Sequence, residues 1–411
     1  MENLKEQIHS EFLPINFDDW KKAAQQTLRK ENIDSVLSKK ISSAIAINSI
    51  YDKSQVIKYF DLQFQKKLID NSNNYSLSNF TDLQCESDME VAYLLYLVKN
   101  SQRNDIIEVL IDPNFFLSIA KFRAIRYMLT DMGKADITII AKSSTDNKTY
   151  SDVENNLIRL TTEAMSAIIG GADKVDLLPY NSMRQNDEFG KRITNNILIL
   201  LNEESYLSNV KDPLSGSYLV ENLTAKFIES VKNISVEISK LGSETEIKQH
   251  IILNCSVYQQ QQMSLLESQK KKIIGVNIYQ NKKDDISEAD ISITNNISEF
   301  EARKSIIDKL NPKVYIVNFE ETNVLQAPII MALNTYNIPF QISGIFELVE
   351  DAFNAIKLYD PDLVIVNGNN DIVRILKNML DEYNVTGIDE FSNSSILNNI
   401  DVVIKSLEDG E

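Results

Sequence analysis

Histidine is scarce among the residues that could do chemistry: the chain has two, His9 and His250, and none beyond position 250. Imidazole is the usual general base near neutral pH and the commonest metal ligand, so many mechanisms lapse over residues 251–411. The two cysteines, Cys85 and Cys255, are separated by 170 positions. Disulfide frameworks and cysteine zinc sites need denser cysteine, and a reducing cytoplasm is the expected setting. Gly170 and Gly171 stop a helical pattern instead of opening one. No G-x-G-x-x-G follows a strand and no Walker loop is present, which sets dinucleotide and nucleoside triphosphate binding aside. Glu203 and Glu204 end a helical stripe and suit a solvated pair, while Lys121 and Arg123 suit ion pairs on a surface helix.

Composition bounds the rest. The chain has 411 residues, 43% hydrophobic and 25% charged, enough for two or three domains at about 150 residues each. Its net charge of −17 would be repelled by a phosphate backbone or an anionic membrane. The opening MENLKEQIHSEF lacks the apolar core of a signal peptide, and no apolar run approaches the ~18 residues of a membrane span.

The elements that must position any site emerge from periodicity. Residues 1–35 read as an exposed arm with one amphipathic helix, FDDWKKAAQQTLRK, anchored by Trp20, and 36–104 is polar with weak periodicity. From about 105 strands and helices alternate: DIIEVLID, ADITIIA, KVDLLPY and KIIGVNIY are the strands. Between the first two lies PNFFLSIAKFRAIRYML, with Phe116, Ile119, Ala120 and Tyr127 on one face. VENNLIRLTTEAMSAIIGG is the next helix; EFGKRITNNILILLNEE follows with Phe189, Ile193, Ile197, Leu200 and Leu201 in a stripe. The helix after DPLSGSY repeats that spacing through Leu219, Leu223, Phe227, Val231, Ile234 and Ile238. Such alternation implies parallel pairing, and about 250 residues of it suits a (β/α)₈ barrel, with an open doubly wound sheet as the alternative. The charged stretch 281–304 suits a linker. A second α/β unit then carries strands KVYIVNF, PFQIS and DLVIVNG, helices near 324–336, 346–358 and 370–382, and the pair NVTGI and ILNNIDVVIKSL. Five such units are expected, in a flavodoxin-like arrangement.

Several segments resemble the methylmalonyl-CoA mutase family. IAKFRAIR, 119–126, is similar to its barrel-helix signature, and NKTYSDVENNLIRLTTEAMSAIIGGADKV, 147–175, to its Asn-Asn-x-x-Arg-Thr and Glu-Ala-Met-x-Ala-x-x-Gly-Gly pattern. KRITNNILILLNEESYLSNVKDPLSGSYLVENLT, 191–224, resembles its Arg-Ile-Ala-Arg-Asn-Thr-Gln, Glu-Glu-Ser and Asp-Pro-x-Gly-Gly-Ser-Tyr series, and IIGVNIYQNKKDD, 273–285, its closing barrel strand. Together these cover residues 115–285. Taken singly they read as scaffold: Asp212 precedes a helix, and Ser215 to Ser217 can supply turn and N-cap geometry. Their order and spacing carry the resemblance.

The resemblance implies adenosylcobalamin chemistry, in which the cofactor makes the radical and the protein supplies ligation and a sealed cavity. The family's cobalamin domain carries Asp-x-His-x-x-Gly after its first strand, the histidine ligating cobalt. Here that loop reads EETNVLQAP, with Glu320, Glu321, Thr322 and Asn323. NGNN, 367–370, replaces the family's Ser-x-Leu, and its Gly-Gly is missing from NVTGIDEF. In the barrel the catalytic Tyr-His pair falls on Ile139 and Ile140; Arg-Asn-Thr-Gln has become Asn195, Asn196, Ile197 and Leu198. These changes remove polar recognition of a CoA thioester.

The resemblance therefore implies a non-catalytic small subunit, with no catalytic, cofactor or metal residue of its own. It would support a large catalytic methylmalonyl-CoA mutase subunit that holds adenosylcobalamin, in a cytoplasmic heterodimer that contacts neither nucleic acid nor membrane. The expected layout is an arm over 1–35, a reduced (β/α)₈ barrel over 36–280, a linker over 281–310 and a degenerate cobalamin-binding-like, flavodoxin-like unit over 311–411. The alternatives are a stand-alone acyl-CoA mutase or a regulatory scaffold. A phospho-receiver using Glu320 and Glu321 would need an aspartate at the end of its third strand, where Asn367 stands.

Overall fold

The computed structural model describes residues 17–29, 33–51, 56–60, 76–77, 84–101, 106–184, 187–281, 291–292, 295–321, 324–391 and 396–408. The arm holds helix α1 (Phe17–Leu28), where the Phe17 and Trp20 rings lie 5.6 Å apart and no residue is buried. His9 falls outside the described residues. A short helix α2 (Asp34–Leu37) leads into an antiparallel pair, β1 (Ser38–Lys40) and β2 (Ala46–Asn48).

The first parallel sheet runs in sequence order: β3 (Ser76–Leu77), β4 (Ile106–Leu110), β5 (Thr138–Lys142) and β6 (Lys174–Asp176). Its crossovers are α3 (Ser87–Asn100), α4 (Phe115–Asp131) and α5 (Asn155–Gly170). Sequential parallel order with a helix in every crossover is how a βα-barrel begins. Among the described residues the sheet has four strands, short of the eight expected. Helices α6 (Glu188–Glu203), α7 (Tyr218–Ser239) and α8 (Glu244–Glu267) follow with no strand between them. Alternation along β4 and β5 turns Ile107, Val109, Ile139 and Ala141 into one core with Val91 and Leu95 of α3, Phe122 and Ile125 of α4, Leu160 and Ala164 of α5, and Leu223, Phe227 and Val231 of α7.

Gly170 permits the α4–α5 contact. A Cβ there would lie 2.9 Å from Phe122 Cβ and 3.1 Å from the Ile119 carbonyl. Gly171, at φ 93°, then ends the helix in the left-handed region that favours glycine.

The second sheet is ordered β10-β9-β7-β8, all parallel, from β7 (Val314–Asn318), β8 (Phe340–Ile345), β9 (Leu363–Asn367) and β10 (Asn384–Gly387). In chain order that is 2-1-3-4, the doubly wound flavodoxin-type order with its switch point between β7 and β9. Among the described residues it has four βα units, one fewer than expected; the helices are α10 (Gln326–Thr335), α11 (Val349–Tyr359), α12 (Asn370–Met379) and α13 (Ile396–Glu408). Every residue of β7 and β9 is buried, as strands covered on both faces require.

Two segments depart from expectation. KIIGVNIY forms a tight turn in place of a strand. Asn277 Oδ1 accepts from the Ile273 amide at 2.7 Å and its Nδ2 donates to the Lys271 carbonyl at 2.8 Å, a local side-chain alternative to a ladder. The stretch read as a linker, 281–310, contains helix α9 (Asn296–Leu310), opened by an Asn295–Ser298 capping box. Its outer face is solvated by Glu299–Arg303 and Lys304–Asp308 pairs, which gave the segment its linker-like charge. Ile297, Phe300 and Ile307 pack into the second core, which also takes Met263 and Leu266 from the end of α8.

Candidate functional site

Helix α4 carries three cations, Lys121, Arg123 and Arg126, and all three are buried. The surface ion pairs expected for Lys121 and Arg123 give way to interior ones, because a helix buried continuously over residues 117–126 must satisfy its cations internally. Lys121 Nζ donates to Glu90 Oε2 at 2.6 Å and to the Leu110 carbonyl at 2.8 Å. Arg123 forks onto both Asp212 oxygens at 2.8 and 2.9 Å, and its other edge reaches Glu221 at 3.0 and 3.3 Å. Burial alone would depress the guanidinium, but the two carboxylates raise it above its ordinary value. Arg126 meets Asp173 at 2.6 Å.

Asp212 thus works as a salt-bridge partner as well as opening the DPLSGSY turn, where its carbonyl accepts the Ser215 amide at 3.0 Å, and Ser217 makes no side-chain cap at α7. Glu221 also accepts the Gly216 amide at 2.8 Å and so ties that loop to α4. A second hub joins the other motif residues. Lys148 meets Glu163 at 2.8 Å, its amine pushed down by burial against the pull of that carboxylate. Asn156 bridges the Thr149 amide and carbonyl, and Arg159 donates to Asn156 and to the Ile274 carbonyl, each at 2.8 Å. Glu301 of α9 accepts the Tyr150 and Ser151 amides at 3.0 and 2.8 Å.

Where strands β4 and β5 end, a small cavity of about 50 Å³ is lined by Asp112, Asp146, Lys121, Lys271, Glu90 and Tyr258, among others. Burial raises the Asp146 carboxyl and the Tyr258 phenol and lowers the Lys271 amine. Lys271 Nζ donates to Gln262 Oε1 at 2.9 Å. At about 30 Å³ per water, the space holds one or two waters, far below the ~300 Å³ of the smallest ligand sites. Cys85 lines this cavity and is joined to Cys255 of α8, with Cα atoms 4.5 Å apart. Their sparse spacing had argued against a disulfide; folding brings together residues that sequence distance kept apart.

The remaining singled-out residues scatter. Ile139 is fully buried in the helix-facing core and Ile140 is half-buried on the other face of the sheet. Leu198 packs against the same core, whereas Asn195, Glu203 and Glu204 are exposed. Phe116, Phe189 and Leu200, expected inside, are exposed too. His250 sits on α8, its Nε2 3.2 Å from Asn254 Nδ2.

In the second unit the switch point is closed from within. Asn367 Nδ2 donates to Asn318 Oδ1 at 3.1 Å and to the Glu321 carbonyl at 3.2 Å, while Asn318 Nδ2 donates to the Ser343 carbonyl at 2.9 Å. Glu320 and Glu321 point to solvent, and Thr322 and Asn323 lie outside the described residues. A cavity of about 350 Å³, bordered by Asp360, Asp362, Glu382 and Tyr383, opens at the strands' amino ends. Open α/β sheets bind ligands at the opposite end.

Residues 108–318 match the sequence model of methylmalonyl-CoA mutase. This chain belongs to the methylmalonyl-CoA mutase family. It is 36% identical over 147 residues to a methylmalonyl-CoA mutase small subunit of Porphyromonas gingivalis, covering 33% of this chain and 24% of that protein. To the Escherichia coli methylmalonyl-CoA mutase it is 30% identical over 202 residues, 46% of this chain and 28% of the relative. To the mitochondrial enzyme of Bos taurus it is 26% identical over 322 residues, 70% and 42% of the two chains. The matched regions therefore span about a quarter to two fifths of these relatives' lengths. The mutase-like residues that persist here, Arg123, Asp212, Asn156, Arg159 and Glu163, hold helices and loops to one another. Glu90, Glu221, Lys148 and Asp173 complete these ion pairs and were not singled out in the sequence. The signal for their existence was a run of cations inside the apolar IAKFRAIR, which demands buried carboxylates without saying which. Among the described residues no helix is long and apolar enough to cross a membrane.

Proposed function

We propose that this chain is the non-catalytic small subunit of an adenosylcobalamin-dependent methylmalonyl-CoA mutase. It would support a large subunit that interconverts (R)-methylmalonyl-CoA and succinyl-CoA. The observation that carries this reading is the 50 Å³ cavity at the strand ends of the first sheet. A CoA thioester has no room there, and the polar groups that remain are spent on one another. The name of the Porphyromonas gingivalis relative as a small subunit supports the same reading.

Cobalamin itself does not fit the second unit. Residues 251–411 contain no histidine to ligate cobalt. The buried Asn318–Asn367 pair bridges the crevice at the switch point, and Phe319 Cβ would lie 3.3 Å from a Cβ on Gly368, so the loop after β9 has no slack. In this reading the first sheet is the remnant of a (β/α)₈ barrel and the second a degenerate cobalamin-binding-like unit, the cofactor belonging to the partner. The test is reconstitution. The isolated chain, incubated with adenosylcobalamin and passed through gel filtration, is expected to emerge colourless and to isomerise no methylmalonyl-CoA. Retention of cobalamin in stoichiometric amount overturns the cofactor reading. A large subunit that folds, dimerises and turns over normally without this chain overturns the supporting role.

A further inference from the structure

Strand β8 is the edge of the second sheet and, among the described residues, pairs with β7 alone. All its residues are half or fully exposed, whereas β7 and β9 are buried throughout. Its sequence, FQISGI, has none of the lysines or prolines with which natural proteins blunt a sheet edge. Ile345 and Leu348, in and just after the strand, are each 60% exposed, and Ile342 is 38% exposed.

The surroundings are of one sign. Residues 314–356 contain no lysine, arginine or histidine, where the chain average of 42 basic residues in 411 would place about four. The same stretch carries Glu320, Glu321, Glu347, Glu350 and Asp351, all exposed. Rings of Phe319 and Phe346 stand 6.3 Å apart and bring the acidic turns after β7 and β8 to one end of the sheet. An apolar centre with an anionic rim repels a second copy of a chain carrying −17, and repels nucleic acid and anionic lipid for the same reason. It complements a cationic surface with apolar side chains, and a free edge offers main-chain groups to an extended segment.

We propose that β8 and the residues through Asp351 are the docking surface for an extended, lysine- or arginine-rich apolar segment of another polypeptide. This does not depend on the partner being a catalytic mutase subunit. The test uses the full chain and a labelled ten-residue peptide alternating valine and lysine, with a valine–glutamate peptide as reference, read by fluorescence anisotropy. The valine–lysine peptide is expected to bind, more tightly at low salt, and the reference peptide not to bind. The double substitution Ile345→Lys/Leu348→Lys is expected to weaken binding at least tenfold. The same change of charge at the exposed Ile158 and Leu253 is expected to weaken it less than threefold. Hydrogen exchange, which needs no variant, is expected to slow over 340–348 when the peptide is added. No binding, equal loss in both double variants, or protection elsewhere with 340–348 unchanged each overturns the proposal.

Discussion

Replacing Arg123 by methionine keeps the stem of the side chain and removes the charge that holds Asp212 and Glu221 inside the first unit. The Arg123 and Glu221 side chains are 0% exposed and that of Asp212 is 9% exposed. Both carboxylates stay behind, each deprived of its cation, in a place water barely reaches. Breaking a buried ion pair from one side costs about 3–5 kcal/mol, mostly the penalty of the stranded charge. The upper half of that range is expected here, because the guanidinium serves two carboxylates and Thr224 Oγ1 at once. In a Glu221→Gln background one stranded charge is gone, and the same Arg123→Met step is expected to cost about 1–3 kcal/mol less, a coupling typical of contacting residues. The assay is native-state hydrogen exchange on peptides of α4 and α7, which reads the unit concerned even if the two units unfold separately. A loss below about 1 kcal/mol in the single variant, or strict additivity in the cycle, would refute the buried triad.

Three further outcomes follow from the same structure. Gly170→Ala is expected to cost about 1–3 kcal/mol by overpacking α4 against α5, although alanine favours helices in isolation; a neutral or raised melting temperature would contradict the contact with Phe122 and the Ile119 carbonyl. Cys85→Ser/Cys255→Ser should lower unfolding stability only under non-reducing conditions, by up to about 5 kcal/mol from loop entropy over a 170-residue separation; intact-mass alkylation that finds two free thiols in the oxidised wild type would exclude the bond. Burial raises the Glu301 carboxyl above its ordinary 4.5 despite the Ser151 and Tyr150 amides it accepts. Its stabilising contribution is therefore full below pH 4.5 and lost as pH rises through the folded value. Relative to wild type, Glu301→Gln should gain stability between pH 4.5 and neutrality, and parallel stability–pH curves for the two proteins would refute the shift.

Long, strongly patterned elements were legible before folding. The strands at 106–110, 314–318 and 363–367 lie inside the segments picked out by their apolar runs, and that at 138–142 overruns its segment by Lys142 alone, because a strand buried on one or both faces must advertise it in composition. Helix α3 was missed although Val91, Leu94, Leu95 and Val98 are buried; its apolar residues surround the axis and leave no stripe for periodicity to find. Helix α9 was missed for the opposite reason, since its ion pairs made a packed helix look like a charged connector. KIIGVNIY carried a strand's composition but lost to Asn277, whose amide outcompetes the ladder locally.

What the sequence by itself determined is the parallel α/β plan, the mutase-like motifs and the lack of any imidazole in the second unit, all properties of residue type and local spacing. Only the tertiary structure decided what the motifs do. Arg123 and Asp212 stand 89 positions apart, Lys121 and Glu90 31, and Cys85 and Cys255 170. Pairings over such distances are set by which helix faces meet across a core, and no local pattern encodes them. The same holds for the filled space at the strand ends: its volume is what remains after side chains from five or more segments have packed, a sum that exists only in the folded chain.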